Sequence, residues 1–171
     1  MQDIEAAAKA YMAFLTALGV DETSGIDIAD SARNTATLMA KMMQGLQEEK
    51  PVISIMPAHS RDLVSLKNLP FYSFCGHHFV PFFGTIQIDY YPSKNIAGLG
   101  SFARVIDYFS RRPQFQENLC AQIADYIFDS DLHPEAVRVK LTSRQMCMEL
   151  HGAGDHTSFE SIAIRGLAGK F

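Results

Sequence analysis

Cys75-Gly76-His77-His78-Phe79-Val80-Pro81-Phe82-Phe83-Gly84-Thr85-Ile86-Gln87-Ile88-Asp89-Tyr90 is the stretch from which the rest of the chain can be read. Its second half alternates, with Val80, Phe82, Ile86, Ile88 and Tyr90 set against Thr85, Gln87 and Asp89, the period of a strand with one face buried. Its first half is a short loop entering that strand. The loop carries a thiol and an imidazole at Cys-x-x-His spacing, close enough for Cys75 and His78 to reach one ion. Spacing alone leaves two readings level: a metal pair, or a core cysteine beside a hydrogen-bonded histidine. A zinc held by two thiolates and one imidazole keeps a fourth position for water, as hydrolytic sites do, whereas structural zinc closes all four with protein atoms.

Downstream, Val137, Val139 and Leu141 alternate with Arg138, Lys140 and Thr142 as a second strand. The segment after it is expected to stay extended, with Met146, Met148 and Leu150 on one face and Gln145, Cys147, Glu149 and His151 on the other. With the methionine face in the core, Cys147 would look into a cleft, which makes it a candidate third ligand; periodicity alone does not locate one. Between the strands, Ser101 is expected to cap a helix carrying Phe102, Val105, Ile106 and Phe109 on one face. Pro113 is expected in the first turn of the next helix, where Phe115, Leu119, Ile123 and Ile127 recur every four residues. Cys120 lies in the middle of that helix and reads as a small core hydrophobe.

Upstream, Ile4, Ala8, Tyr11, Leu15 and Leu18 recur at helical spacing and Gly19 closes the segment. A second helix is expected from about Asp30 to Leu46, with Leu38, Met39, Met42 and Leu46 on one stripe. The order of elements predicts an α+β unit, an antiparallel sheet with two helices packed on one face. Residues 1–50 form an N-terminal helical arm and residues 51–171 the catalytic domain, together one structural unit.

The bulk numbers agree with a single domain and a real core: 171 residues, 47% hydrophobic. A net charge of −4, from 15 basic and 19 acidic residues, provides no basic footprint for nucleic acid. No apolar run approaches the roughly 18–20 residues of a membrane span. The start, Met1-Gln2-Asp3-Ile4-Glu5, lacks the basic-then-apolar order of a signal peptide. Three cysteines, an odd number, argue against a disulfide framework and for a reducing setting. The expectation is a cytoplasmic protein.

At the residues already quoted the chain resembles GTP cyclohydrolase I, the zinc enzyme family that opens the purine of GTP and recloses it as a pterin. The family's Cys-Glu-His-His and Pro-Phe-x-Gly look like Cys75-Gly76-His77-His78 and Pro81-Phe82-Phe83-Gly84. Its Gly-Leu-Ser-Lys-x-x-Arg is similar to Gly98-Leu99-Gly100-Ser101-Phe102-Ala103-Arg104, and its Arg-x-Gln-x-Gln-Glu to Arg112-Pro113-Gln114-Phe115-Gln116-Glu117. Its distal His-x-Cys becomes Gln145-Met146-Cys147. The resemblance runs from about Leu66 to about His151. It implies the tunnelling fold, a ring-shaped homo-oligomer with active sites between subunits, and zinc on Cys75, His78 and Cys147. It also implies that His77 is the acid/base, that Glu117 with Gln116 reads the guanine edge, and that water activated by zinc attacks C8 of the purine. A carboxylate suits that edge, which offers N1–H and an exocyclic amine as adjacent donors.

The chain departs from the family at four positions. Gln145 replaces a proton-handling histidine, and an amide cannot ferry a proton near neutral pH. Ser101 and His151 stand where the family has a lysine and an arginine for the triphosphate, and Gly76 replaces an acidic residue. Arg104 remains, yet a triphosphate normally needs a cluster of cations. The pattern keeps metal ligands and base recognition while weakening phosphate binding. It points to a zinc-dependent hydrolase acting on GTP or on the same base with less phosphate. Lys140, Arg144, Arg165, Lys170 or a neighbouring subunit would supply cations in the first case. The alternative class is a catalytically silent homologue that binds a purine or pterin and regulates a partner. Nitrile reductases share the fold but use a nucleophilic cysteine and a nicotinamide, and nothing in the sequence prefers that chemistry.

Overall fold

A computed structural model describes residues 2–171 apart from 22, 24, 153–156, 168 and 170. Two helices open the chain, α1 (Ile4–Ala17) and α2 (Ile28–Met42). Aspartates at their N-caps hold them at the start: Asp3 accepts from the Ala6 N–H and Asp27 from the Asp30 N–H, each at 2.9 Å. Gly19 leaves α1 at φ +81°, a conformation that costs other residues strain. The two helices pack on each other, and the buried side chains they carry are mostly alanines. Ala8, Ala32 and Ala36 are buried, as is Met42 of the expected stripe, whereas Leu38 and Leu46 of that stripe are 57% and 60% exposed. Small side chains let the two backbones approach, and that choice of face rotates Leu38 to the outside. α2 also stops at Met42 and gives way to a 3-10 turn over Gln44–Leu46. There the Gly45 N–H bonds the Arg111 carbonyl at 3.0 Å, and the Arg112 guanidinium donates to the Gly45 carbonyl.

The remainder is α+β. A five-stranded sheet has the order β5 (Pro113–Gln114), β2 (Val64–Cys75), β3 (Pro81–Tyr91), β6 (Ala136–Gln145), β7 (Ser158–Gly166). All its pairs are antiparallel except the short parallel contact of β5 with β2. A two-stranded ribbon joins β1 (Ile55–Pro57) to β4 (Asn95–Ala97). Helix α3 (Leu99–Ser110) packs on β2, and α4 (Gln116–Phe128) lies across β6 and β7. The expected apolar alternations are the core: Phe82, Ile86, Ile88 and Tyr90 of β3 and Val137, Val139 and Leu141 of β6 meet Phe102, Val105 and Ile106 of α3 and Leu119, Ile123 and Ile127 of α4. Cys120 belongs to this core; burial pushes its thiol up to about 11, and it donates to the Val139 carbonyl at 3.3 Å.

The other face of the sheet mixes exposed apolar side chains, Ile162 and Ile164 among them, with a polar network. Asp89, 1% exposed, accepts from Arg138 Nε and Nη2 at 3.0 and 2.8 Å, from Gln87 Nε2, and from the Ser65 hydroxyl. Burial pushes its carboxyl up, but the bonds from Ser65, Gln87 and Arg138 outweigh it and hold the group below its ordinary value.

Three local expectations are corrected. Gly98, not Ser101, occupies the N-cap of α3. Ser101 is buried one turn inside, where its Oγ accepts from the Ser54 N–H at 3.1 Å and from Arg104 Nη2 at 3.1 Å. Pro113 is not helical: Pro113 and Gln114 are extended and pair with Phe74 and Cys75, so α4 begins only at Gln116. A proline can end a strand at a sheet edge because only its missing N–H is a liability there. Finally, Met146–Leu150 is a short helix, α5, rather than a strand. The last rung of the β3–β6 ladder is Phe82 with Gln145, and β3 begins one residue earlier. Past that rung an extended chain would have no partner for its N–H and C=O groups, and a helical turn satisfies them locally.

Gly84 shows how closely β3 and β6 approach. A Cβ there would lie 2.0 Å from the Thr142 carbonyl oxygen and 2.8 Å from Ser143 Cα, both backbone atoms that cannot swing aside. Gly84→Ala is therefore expected to destabilise the fold by about 3 kcal/mol or more, the scale of a severe overpacking defect. Urea unfolding against the parent protein reads this directly.

Candidate metal centre and catalytic cavity

The β2–β3 connection puts the first two donors together. The Cys75 N–H bonds the Val80 carbonyl and the Phe79 N–H bonds the Cys75 carbonyl, each at 2.9 Å. Closing so short a turn drives Phe79 to φ +54°, an uncommon conformation for a residue with a side chain. Within the turn, His78 Nδ1 lies 3.9 Å from Cys75 Sγ. The helical turn of α5 then brings Cys147 alongside, so that the donor atoms of Cys75, His78 and Cys147 all lie within 4.8 Å of one another. Zinc bonds of about 2.3 Å to sulfur and about 2.0–2.1 Å to nitrogen span such a group with modest side-chain adjustment. Burial, followed by the neighbouring Cys75 thiol, pushes the Cys147 thiol up. A divalent cation reverses that preference, because coordination deprotonates a thiol. Two thiols and an imidazole, from the buried Cys75, the half-buried Cys147 and the exposed His78, cluster as a donor set that fits zinc.

A cavity of about 200 Å³ opens beside these donors. Cys75, His77, Gln116, Glu117, Gln145 and Cys147 all line it, and Phe115, Met148 and Phe159 supply its apolar walls. The His77 ring lies 4.6 Å from that of Phe115 and 6.0 Å from that of His78. Glu117 sits exposed in the first turn of α4, where the helix dipole favours a carboxylate. Gln116 is buried and committed at both ends. Its Nε2 donates to the Phe159 carbonyl at 3.1 Å and to Ser161 Oγ at 3.3 Å. Its Oε1 accepts from the Ser143 hydroxyl and from Gln145 Nε2, the latter at 2.9 Å. Gln116 thus ties α4, β6 and β7 together, and Gln145 is held by its amide nitrogen.

His151 stands just past α5, exposed, its ring 5.2 Å from that of His78. Ser101 and Arg104 do not line this cavity. Arg104 borders a separate depression with Glu48, Glu49 and Asp107, and its Nη2 reaches the Val52 carbonyl at 3.4 Å. The other basic side chains considered for phosphate are already engaged. Lys140 pairs with Glu160 at 2.8 Å, Arg144 with Glu149 at 2.7 Å, and Arg165 with Asp125. Lys170 lies outside the described residues.

Sequence reasoning missed Phe115, Met148 and Phe159 as cavity walls. Phe115 reads as the first member of an apolar helical stripe, but it flanks α4 in an extended conformation and is 40% exposed. Phe159 belongs to β7, whose exposed isoleucines Ile162 and Ile164 blur the alternation.

The sequence profile of the GTP cyclohydrolase I family matches residues 7–171. Relatives named GTP cyclohydrolase 1 include those of Streptococcus pyogenes, 37% identical over 151 residues (86% of this chain, 77% of the relative), and Geobacillus kaustophilus, 36% identical over 159 residues (90% and 82%). That of Fusobacterium nucleatum is 34% identical over 161 residues, 92% of this chain and 85% of the relative. Among solved structures, apo archaeosine synthase QueF-Like matches with a TM-score of 0.54 at 19% identity. The match covers 64% of this chain and 98% of that one, and the likeness places the chain in the tunnelling fold.

Proposed function

The chain belongs to the GTP cyclohydrolase I family, and from that premise we propose that it is a zinc-dependent cyclohydrolase that opens a guanine-type purine at C8. The observation that carries the reading is convergence: Cys75, His78 and Cys147 meet at the edge of a cavity that also holds His77 and Glu117. Cys75, His78 and Cys147 hold the metal. Bound zinc supplies a Lewis acid that makes water nucleophilic near pH ~7. Glu117 accepts from N1–H and the exocyclic amine of the base and so fixes which edge enters. His77 hands a proton to the purine nitrogen that departs as the bond to C8 breaks, a task suited to an imidazole near neutral pH. Gln116 and Gln145 keep α4 and β6 in register beneath the base; Gln145 orients by hydrogen bonding and carries no proton.

The site belongs to a homo-oligomer in this reading. Arg104 lies outside the cavity of its own chain, so in this reading it serves the phosphate end of a substrate held by a neighbour, with the buried Ser101 behind it accepting from its guanidinium. Light scattering at working concentration tests the assembly, and a monomer retaining full activity would overturn it.

The same geometry favours a substrate with fewer phosphates than GTP. Lys140, Arg144 and Arg165 are paired with carboxylates, and a cation so neutralised has little to offer a triphosphate. Ser101 is buried against Ser54, so a lysine there would break that contact; the informative position is the exposed His151. His151→Arg is expected to tighten binding of GTP by about tenfold, the worth of one charge-assisted contact, while leaving guanosine unchanged. Isothermal titration checks both.

The experiment that tests the function supplies GTP, GMP, guanosine and guanine in parallel to zinc-loaded protein and follows formate and ring products by mass spectrometry. Formate from any of them supports the cyclohydrolase reading, and the preferred phosphate state identifies the substrate. Tight purine binding with no formate from the panel would overturn catalysis in favour of a silent, regulatory homologue.

A further inference from the structure

An acid/base histidine needs a fixed ring orientation, and a hydrogen bond from a second side chain or a carbonyl usually sets it. Among the described residues no such bond holds the His77 ring; its close neighbour is the Phe115 ring, centroids 4.6 Å apart and planes inclined at 54°. Phe115 in turn covers Gly76. A Cβ on Gly76 would lie 3.1 Å from Phe115 Cζ and 3.4 Å from its Cε1, so the ring rests where a side chain at 76 would stand. Both partners are anchored by backbone. The Gly76 N–H bonds the Gln114 carbonyl at 2.9 Å, and Cys75 pairs with Gln114 in the sheet. The loop that carries His77 and the residue that precedes Phe115 therefore move as one piece.

We infer that Phe115 is a positioning residue for His77, made possible by the missing side chain at Gly76. The inference rests on the reading of His77 as the proton carrier of the proposed reaction. Phe115 restricts the imidazole to one side of the cavity, next to the metal ligands, by contact alone. A ring freed from that contact spends less time aligned with the departing nitrogen, and misplacements of about 1 Å can cost up to ~100-fold in rate.

The test compares Phe115→Val, Phe115→Tyr, Gly76→Ala and the double variant Gly76→Ala/Phe115→Val with the parent and with His77→Asn. All are loaded with zinc and assayed on whichever purine the parent turns over. Phe115→Val is expected to lower kcat between about tenfold and a hundredfold with KM within about twofold, and with zinc content and melting temperature unchanged. Phe115→Tyr retains the ring and should retain kcat. Gly76→Ala should lower kcat by displacing the ring, yet add nothing on top of Phe115→Val, because both act through one contact. The His77 ring-proton NMR signals should shift in Phe115→Val and return in Phe115→Tyr.

An unchanged kcat in Phe115→Val would overturn the inference, as would a rise in KM alone, which would make Phe115 a substrate wall. Loss of zinc in Phe115→Val would overturn it too, by assigning the ring to the metal loop. These failures are separable from failure of the underlying reading: full kcat in His77→Asn removes the proton-carrier role whatever Phe115 does. If the parent opens no purine, the NMR signals still decide whether Phe115 sets the ring.

Discussion

Cys147→Ser is expected to yield a folded protein that binds zinc more than ~100-fold more weakly than the parent, a larger loss than an outer-shell change produces, and that releases no formate. Cys147 is half-buried in a five-residue helix at the end of β6, so the smaller serine leaves the core intact. Serine keeps the shape but removes a soft donor that deprotonates on the metal, and two donors hold zinc poorly. The parallel variant Cys120→Ser makes the contrast. Cys120 is 1% exposed, belongs to the hydrophobic core and is not among the clustered donors. Its substitution should lower stability, by burying a more polar group, while zinc content stays at the parent level. Metal analysis after dialysis, with thermal melts alongside, distinguishes the two cysteines. Full zinc retention in Cys147→Ser would remove Cys147 from the metal centre.

Glu117→Gln is expected to cost between about 10² and 10⁴ in kcat/KM, from two hydrogen bonds to a charged acceptor at about 1.5–3 kcal/mol each. The substitution does more than remove charge. A carboxylate offers acceptors on both oxygens, whereas the amide turns an NH₂ toward a base edge that itself presents donors. Zinc content should not change, since Glu117 is not among the three clustered donors. The loss should shrink when the substrate lacks the exocyclic amine, because one of the two bonds is then absent in the parent as well. Steady-state kinetics on the guanine and hypoxanthine forms of the preferred substrate measure both effects. Equal losses on the two bases would mean that Glu117 does not read that edge.

Much of this protein was legible in the chain. The alternation through Val80–Tyr90 and Val137–Leu141, and the four-residue repeats of Leu119, Ile123 and Ile127, are core in the structure because burial of one face is what creates such periods. Family motifs, ordered along the chain from Cys75 to Cys147, pointed to Cys75, His78 and Cys147 as one group, and the structure brings their donor atoms within 4.8 Å of one another. Where the reading slipped, a local pattern met a tertiary boundary. Met146–Leu150 alternates as a strand would, but β3 offers no further rung, so the segment coils into a turn of helix. That coil, set by the length of a neighbouring strand, turns Cys147 toward Cys75 and His78. Leu38 and Leu46 read as a buried stripe, but Ala8, Ala32 and Ala36 allow a closer helix contact and win the interface.

What the sequence determined by itself, then, is the set of chemical groups and the periods of the main strands and helices, because residue type and spacing carry that information directly. Contacts between distant segments were decided only in three dimensions. These include the ring of Phe115 over Gly76 and beside His77, the commitment of Gln116 to Ser143 and Gln145, and the pairing of Lys140, Arg144 and Arg165 with carboxylates. A side chain's partner depends on which strands and helices are brought alongside it, and no single stretch of sequence contains both halves of such a pair.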